Sequence, residues 1–360
     1  MEIGHSSHIW EDINMDKDLK FNDEKIEIKE DIPVNKSFNK FGMNLGINLT
    51  RVTEFAALKC ARVLGQGDKN KADALAVNQM REMFKRLNIN GQIVIGEGEI
   101  DEAPMLYIGE QIGDPNASEQ VDIAVDPIDG TSALAYGMPN AISVLAVAPK
   151  GNILPGPDVY MKKLAVGPKA KGLVDINKPV AENIAAVAKA LDKDISDVTV
   201  TVLKRDRHAK LVNAIRETGA RISMINEGDI LPAIETCMDG GTDMLMGIGG
   251  APEGIIAAAA VKCLDGDFQA MFWPMDGKQV KRCRDKNVDL ERVYYIDDLI
   301  KGDDVLFAAT GVTGGSLLDG VEYKSNNMAK TQSLLLRLPS GTVRTIESLH
   351  RLDKKFEEDF

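Results

Sequence analysis

The chain has 360 residues, 44% of them hydrophobic, enough for a sizeable buried core and about two domains' worth of structure. A formal net charge of −12 excludes a broad nucleic-acid-binding face, which needs a basic surface, and the longest apolar stretch, residues 255–261, is far too short to cross a bilayer. An acidic protein acting on an anionic substrate needs metal ions or a confined Arg/Lys cluster, and the sequence offers both.

Residues 1–42 hold ten acidic and six basic residues and no sustained apolar period. They are expected to form a disordered or loosely attached extension rather than a signal or transit peptide, which makes the cytoplasm the expected compartment. A helix is predicted over 48–64, with Asn48 or Thr50 as its cap, and a second over 71–87 with Asp73 in its first turn. Strands are predicted at 92–95, at 121–125, where Pro127 stops the run, and at 141–148. From residue 198 the pattern alternates regularly: strand 198–203, helix 207–218 closed by Gly219, strand 221–225, helix 230–238, strand 243–247, helix 253–264. The fold class is therefore α/β, an α+β first half followed by a parallel-sheet α/β second half, with ligands expected at the carboxyl ends of the strands.

The four cysteines, Cys60, Cys237, Cys263 and Cys283, are widely spaced and suggest neither a zinc site nor a redox dithiol; Cys60 and Cys263 fall in apolar helical patterns as small buried hydrophobes. The only histidines are His5, His8, His208 and His350, so any hydrolysis must run on carboxylates, metal and water. Suitable carboxylates stand at strand ends. Val121-Asp-Ile-Ala-Val-Asp-Pro-Ile-Asp-Gly-Thr131 ends an apolar strand on Asp126, Asp129 and Thr131, where an ordinary Asp-Gly turn is the competing reading. Glu97 lies in the glycine-bounded turn after the preceding strand, and Asp73 stands near a helix start where it could also serve only to stabilise the helix end. Such a set could hold two divalent ions, and Thr131 could orient a water or merely cap a short helix.

In the second half, Gly249-Gly-Ala-Pro-Glu-Gly254 joins a strand to an alanine-rich helix and places Glu253 in reach of a metal. It matches neither the P-loop nor the dinucleotide fingerprint, which argues against a nucleotide-dependent oxidoreductase. Lys204, Arg205, Arg207 and His208 concentrate positive charge after strand 198–203, either as a solvated turn or as a seat for a second phosphate, and Glu227-Gly228-Asp229 would face the same crevice.

Residues 43–360 resemble the class II, bacterial-type fructose-1,6-bisphosphatases of the lithium-sensitive sugar phosphatase superfamily. The likeness rests on Gly67-Asp-Lys-Asn70 with Asp73, on the run from Val94 to Tyr107, on Asp126-Pro-Ile-Asp-Gly-Thr131 and on Gly249-Gly-Ala-Pro-Glu-Gly254. The resemblance implies a layered αβαβα fold, with a metal-binding phosphatase domain over 43–165 and a sugar-phosphate-binding domain over 166–360. It implies metal ligation by Asp73, Glu97, Asp126, Asp129 and Glu253, with Thr131, Glu253 and Asp126 catalytic. It further implies substrate contacts from Gly130, Thr131, Tyr160, Arg205, Asp206, Arg207, Glu227, Gly228, Asp229 and Gly250. Two positions depart from the family's usual residues: Asp129, where Glu is usual, and Glu227, where Asp is usual. The implied reaction is Mn2+- or Mg2+-dependent hydrolysis of the 1-phosphate of fructose 1,6-bisphosphate, in gluconeogenesis, by a homodimer or homotetramer. Sedoheptulose 1,7-bisphosphate as a sole or second substrate, and a non-catalytic sugar-phosphate sensor, are the alternatives.

Overall fold

The computed structural model describes residues 44–98, 106–238 and 241–356. The extension at 1–42 and the stretch 99–105, part of the motif around Glu97, lie outside the described residues. The described residues open with helices α1 (Leu45–Cys60) and α2 (Lys69–Phe84), then β1 (Asn90–Ile95), β2 (Gln111–Gly113), β3 (Gln120–Asp129), α3 (Thr131–Ala135) and β4 (Ile142–Pro149). It continues through β5 (Tyr160–Val166), α4 (Val180–Leu191), β6 (Thr199–Leu203), α5 (Ala209–Thr218), β7 (Arg221–Ile225), α6 (Ile230–Glu235), β8 (Met244–Gly250) and α7 (Ala251–Cys263). The last elements are β9 (Asp267–Phe272), α8 (Gly277–Asp285), β10 (Tyr294–Tyr295), α9 (Ile296–Leu299), β11 (Leu306–Gly311), β12 (Glu322–Lys324), β13 (Met328–Arg337) and β14 (Thr342–Arg351).

Several boundaries differ from the sequence expectation for local reasons. Helix α1 starts ahead of both candidate caps, and the Thr50 hydroxyl bonds back to Gly46 O at 3.1 Å within the helix. Asp68 caps α2 by accepting the Lys71 N–H at 2.9 Å, so the helix begins at Lys69 and Asp73 falls in its second turn. Pro127 does not end its strand. It sits where the β3–β4 register shifts between Asp126 and Asp129 and beyond Ala124, the last residue paired with β1, so its missing N–H breaks no ladder bond.

The strands form two sheets. The first, of eight strands, runs β12-β13-β11-β4-β3-β1-β2, with β14 also paired to β13; the second, of six, runs β10-β9-β5-β8-β6-β7. Among the described residues only β6 with β7, β6 with β8 and β1 with β3 are parallel; β5, β9 and β10 join antiparallel, so the second sheet is mixed rather than parallel as expected. Sheet membership also ignores a division at 165/166: β5 begins the second sheet at Tyr160, and β11 to β14 return to the first.

Three apolar clusters give the layering. One lies between α1, α2 and the first sheet, with Leu49, Val52, Met80, Phe84 and Ile123 at its centre. A second joins the other face of that sheet to α7 and to β5 and β9. The third packs the far face of the second sheet against α4 and α5. The order is α/β/α/β/α. Helix α7 fits the middle layer because it is apolar all round; every residue from Gly254 to Val261 is buried. All four cysteines are free, and Cys60, Cys263 and Cys283 are buried, Cys60 and Cys263 in the expected apolar settings.

Candidate active site

A cleft with a cavity volume of about 550 Å³ opens where the ends of β1, β3, β6, β7 and β8 meet. β5 runs antiparallel to β8, so the start of β5, Tyr160, meets the end of β8 at Gly250 and also lines the cleft. Every candidate named above lines this one cavity except Lys204 and Asp206, which lie exposed in the turn after β6, and His208, which is buried. Asp73, Glu97, Asp126, Asp129, Gly130 and Thr131 come from the first sheet and its helices; Arg205, Arg207, Glu227, Gly228, Asp229, Gly250 and Glu253 come from the second.

On the first wall, Gly130 adopts φ +91°, a left-handed conformation that suits glycine and turns the chain from β3 straight into α3. Thr131 is thereby brought beside α2: its Oγ1 donates to Asp73 Oδ1 at 3.0 Å and lies 3.1 Å from Ile128 O. Asp126 is steadied by the Ile128 N–H, 3.0 Å from its Oδ1. Burial raises the pKa of Asp73, opposed by the Thr131 bond and Lys69. Glu97 keeps solvent-exposed surface but is hemmed in by protein, and this desolvation, then the charges of Asp73 and Glu253, pushes its pKa up to about 7. Asp126 is raised well above the usual carboxylate range by burial, then by Asp129, Glu97 and Glu253. Asp129 is raised by burial, then by Asp229 and Glu253, and Glu253 by burial, with Asp229 adding to it.

The second wall is cationic and unexpectedly well tied. Arg207 donates from Nε and Nη2 to Ile248 O, at 3.2 and 2.7 Å, with its guanidinium 4.9 Å from the Tyr160 ring centre. Arg205 donates to Lys204 O and Asn226 O at 2.9 and 2.7 Å. Glu227 reaches across the cleft and accepts the Ser132 N–H at 3.0 Å, joining the two walls. His208, grouped with the basic residues from sequence, is only 1% exposed and faces inward, so it adds nothing to the cationic surface.

Lys163 escaped the sequence reading. It lies on the face of β5 shared by Met161 and Ala165, the face that packs on α7, and is 2% exposed. Its Nζ donates to both oxygens of Asp229, at 2.9 and 2.7 Å, and its charge opposes the upward shifts of Asp129 and Glu253. The glycines of the Gly249–Gly254 motif make room for it: a Cβ on Gly249 would lie 2.2 Å from Asp229 Oδ2 and 3.0 Å from Lys163 Nζ, and one on Gly254 2.9 Å from Lys163 Cε. The available signal was parity, a lysine on the apolar face of a buried strand.

The candidate ligands Asp73, Glu97, Asp126, Asp129 and Glu253 fit a hard divalent cation. The donors are oxygens only, and Asp129 Oδ2 and Glu253 Oε2 are buried with no hydrogen-bond partner, an arrangement that is costly without a cation. Among the described residues no three acidic, histidine or cysteine side chains already converge into a closed ligand shell.

Residues 43–350 match the family model described as bacterial fructose-1,6-bisphosphatase, glpX-encoded. The chain is 47% identical over 328 residues to fructose-1,6-bisphosphatase 1 class 2 of Escherichia coli (strain K12), covering 87% of this chain and 97% of that protein. The same figures hold for the fructose-1,6-bisphosphatase class 2 of Shigella flexneri. A solved extragenic suppressor from Pyrococcus furiosus aligns at 15% identity and a TM-score of 0.30, over 53% of this chain and 70% of that one, too loosely to bear on the fold. With a family match that spans the globular chain and a cleft that gathers the motif residues, this chain belongs to the class II bacterial fructose-1,6-bisphosphatases.

Proposed function

We propose that this protein hydrolyses the 1-phosphate of fructose 1,6-bisphosphate, giving fructose 6-phosphate and phosphate in the gluconeogenic direction, with Mn2+ or Mg2+. The observation that carries the reading is the meeting of two groups in one cavity: Asp73, Glu97, Asp126, Asp129 and Thr131 of the first wall with Glu253 of the second, all oxygen donors, and the two anchored arginines Arg205 and Arg207. A bisphosphate needs two anion sites of different character, one reactive and one merely retentive, and these two groups differ in that way.

Asp73, Glu97, Asp126, Asp129 and Glu253 would hold the metal. Divalent ions would supply positive charge for the phosphoryl oxygens and acidify the attacking water. Thr131 donates its hydroxyl hydrogen to Asp73, which leaves its oxygen lone pairs able to accept a hydrogen bond from that water and orient it for in-line attack. Arg205 and Arg207 hold the remote 6-phosphate, and that binding energy positions the reacting end. Gly228, Asp229 and Tyr160 frame the sugar, Gly130 and Gly250 let backbone approach it, and Glu227, bonded to Ser132 N, yields that amide to the reacting phosphate.

The assay is phosphate release from fructose 1,6-bisphosphate with Mn2+. Asp126→Asn, or complete chelation, is expected to abolish it; undiminished turnover in either case would refute the proposal. Sedoheptulose 1,7-bisphosphate run in parallel decides whether the longer sugar is a second substrate. The cytoplasm and a homo-oligomer form the proposed setting; among the described residues no helix is long and apolar enough to cross a membrane.

A further inference from the structure

We propose that His208 is the positioning residue of the second-phosphate anchor: as a buried, uncharged imidazole it fastens the end of β6 to the end of β8 and thereby sets where Arg207 stands. The proposal rests on the reading of the cleft as a sugar bisphosphate site.

The bonds fix the ring's protonation. Ile248 N–H lies 2.7 Å from Nε2 and can only donate, so Nε2 bears the lone pair. Leu203 O lies 2.7 Å from Nδ1 and can only accept, so Nδ1 bears the proton. The ladder between β6 and β8 has registered pairs only at Val200 with Met244 and Thr201 with Leu245. Beyond it, Ile248 is gripped at its N–H by His208 and at its C=O by Arg207, the residue just before it in the same turn. The ring therefore takes over the strand pairing where the ladder stops. Gly247 admits it: its φ is +147°, and a Cβ there would lie 3.2 Å from both Cε1 and Nε2.

The charged groups that face the ring are Arg207 and Arg205 from its own turn and Asp229 from the turn after β7, with Lys163 of β5 paired to Asp229. Burial, then the two arginines, hold the imidazole below its ordinary range against the opposing pulls of the Leu203 bond and Asp229. Once protonated, Nε2 becomes a donor aimed at the Ile248 N–H. The end of β8 is released, and Arg207 with it. Substrate affinity, not the chemical step, should then fall on the acid side.

The test measures KM and kcat for fructose 1,6-bisphosphate, and calorimetric Kd for fructose 6-phosphate, from about pH 5 to about pH 8. The proteins are the wild type, His208→Gln, which can donate and accept but does not titrate, and His208→Leu, which does neither. His208→Leu is expected to raise KM and Kd about tenfold at every pH with kcat within about twofold. His208→Gln is expected to match the wild type near neutrality and to bind more tightly than it at the acid end. Because a phosphate ester itself titrates near about pH 6, the ratio of wild type to His208→Gln is the quantity read. A ratio flat across the range, or a folded His208→Leu with unchanged KM, overturns the proposal. If His208→Leu does not fold, the ratio alone decides, and if neither variant folds as the wild type does, His208 is a structural residue and the positioning role is overturned. Absence of sugar-phosphate binding by the wild type instead overturns the bisphosphate reading, and this proposal with it.

Discussion

Asp126 and Gly250 show how single residues are set for charge that the protein alone does not balance. Folded Asp126 is raised above its unfolded range, so its stabilising contribution is complete only at acid pH and is lost as pH rises through the raised value. At neutral pH keeping this carboxyl buried among other carboxylates is a burden on the metal-free fold. Asp126→Asn is therefore expected to melt at least about 2 °C higher than the wild type in chelator, since one pKa unit is worth about 1.4 kcal/mol. It should gain less than the wild type from added Mn2+. Equal melting temperatures in chelator would show that the charge is relieved otherwise. Gly250 is constrained by contact: a Cβ there would sit 1.9 Å from Glu253 Oε2. Gly250→Ala should cost about a hundredfold or more in kcat/KM by displacing that carboxylate, with the circular dichroism spectrum unchanged.

At the scale of elements, β5 and the β13–β14 hairpin carry buried ionisable groups with opposite consequences. The Lys163–Asp229 pair on β5 is almost dry, with side-chain exposures of 2% and 6%. Lys163→Met should destabilise by about 3–5 kcal/mol in denaturant unfolding by leaving Asp229 buried and unpaired, and the added Asp229→Asn should recover much of the loss. Additive losses would deny the pairing its importance. His350, near the end of β14, bonds through Nε2 to Thr331 Oγ1 at 2.7 Å, and burial, with Lys355, pushes its pKa down to about 4. Its folded value lies below the unfolded value of about 6.5, so its contribution is present above that pH and is lost as pH falls through about 4. A stability profile over that window should be flatter in His350→Gln. Much of the cleft was legible from sequence because strand ends carry their polar residues in plain view: Glu97 after β1, Asp126 and Asp129 closing β3, Arg205 after β6. What escaped depended on partners distant in the chain. Lys163 needed Asp229, a glycine at the end of β8 and another in α7 to show its role, and His208 needed Ile248. Pro127 misled because a proline that breaks an isolated strand does no harm at a bulge, and the second sheet was read as parallel because β5 and β9 enter it from outside the regular alternation.

For the molecule as a whole, metal binding and folding should be linked. Mn2+ at about a hundred times its Kd should add about 2.7 kcal/mol to unfolding free energy in the wild type, read as a melting shift that chelation reverses. No shift with any divalent ion would separate the carboxylates from metal. The way β11 to β14 travel back to the first sheet has a practical side. A gene cut near codon 166 would leave β4 in the first fragment without its neighbour β11, and β1 to β4 without α7 to cover their inner face. Such a fragment would expose a raw hydrophobic sheet edge and aggregate. Co-expressed halves would have to find each other before either could fold, so this enzyme offers protein engineers no detachable module between Leu45 and Leu352.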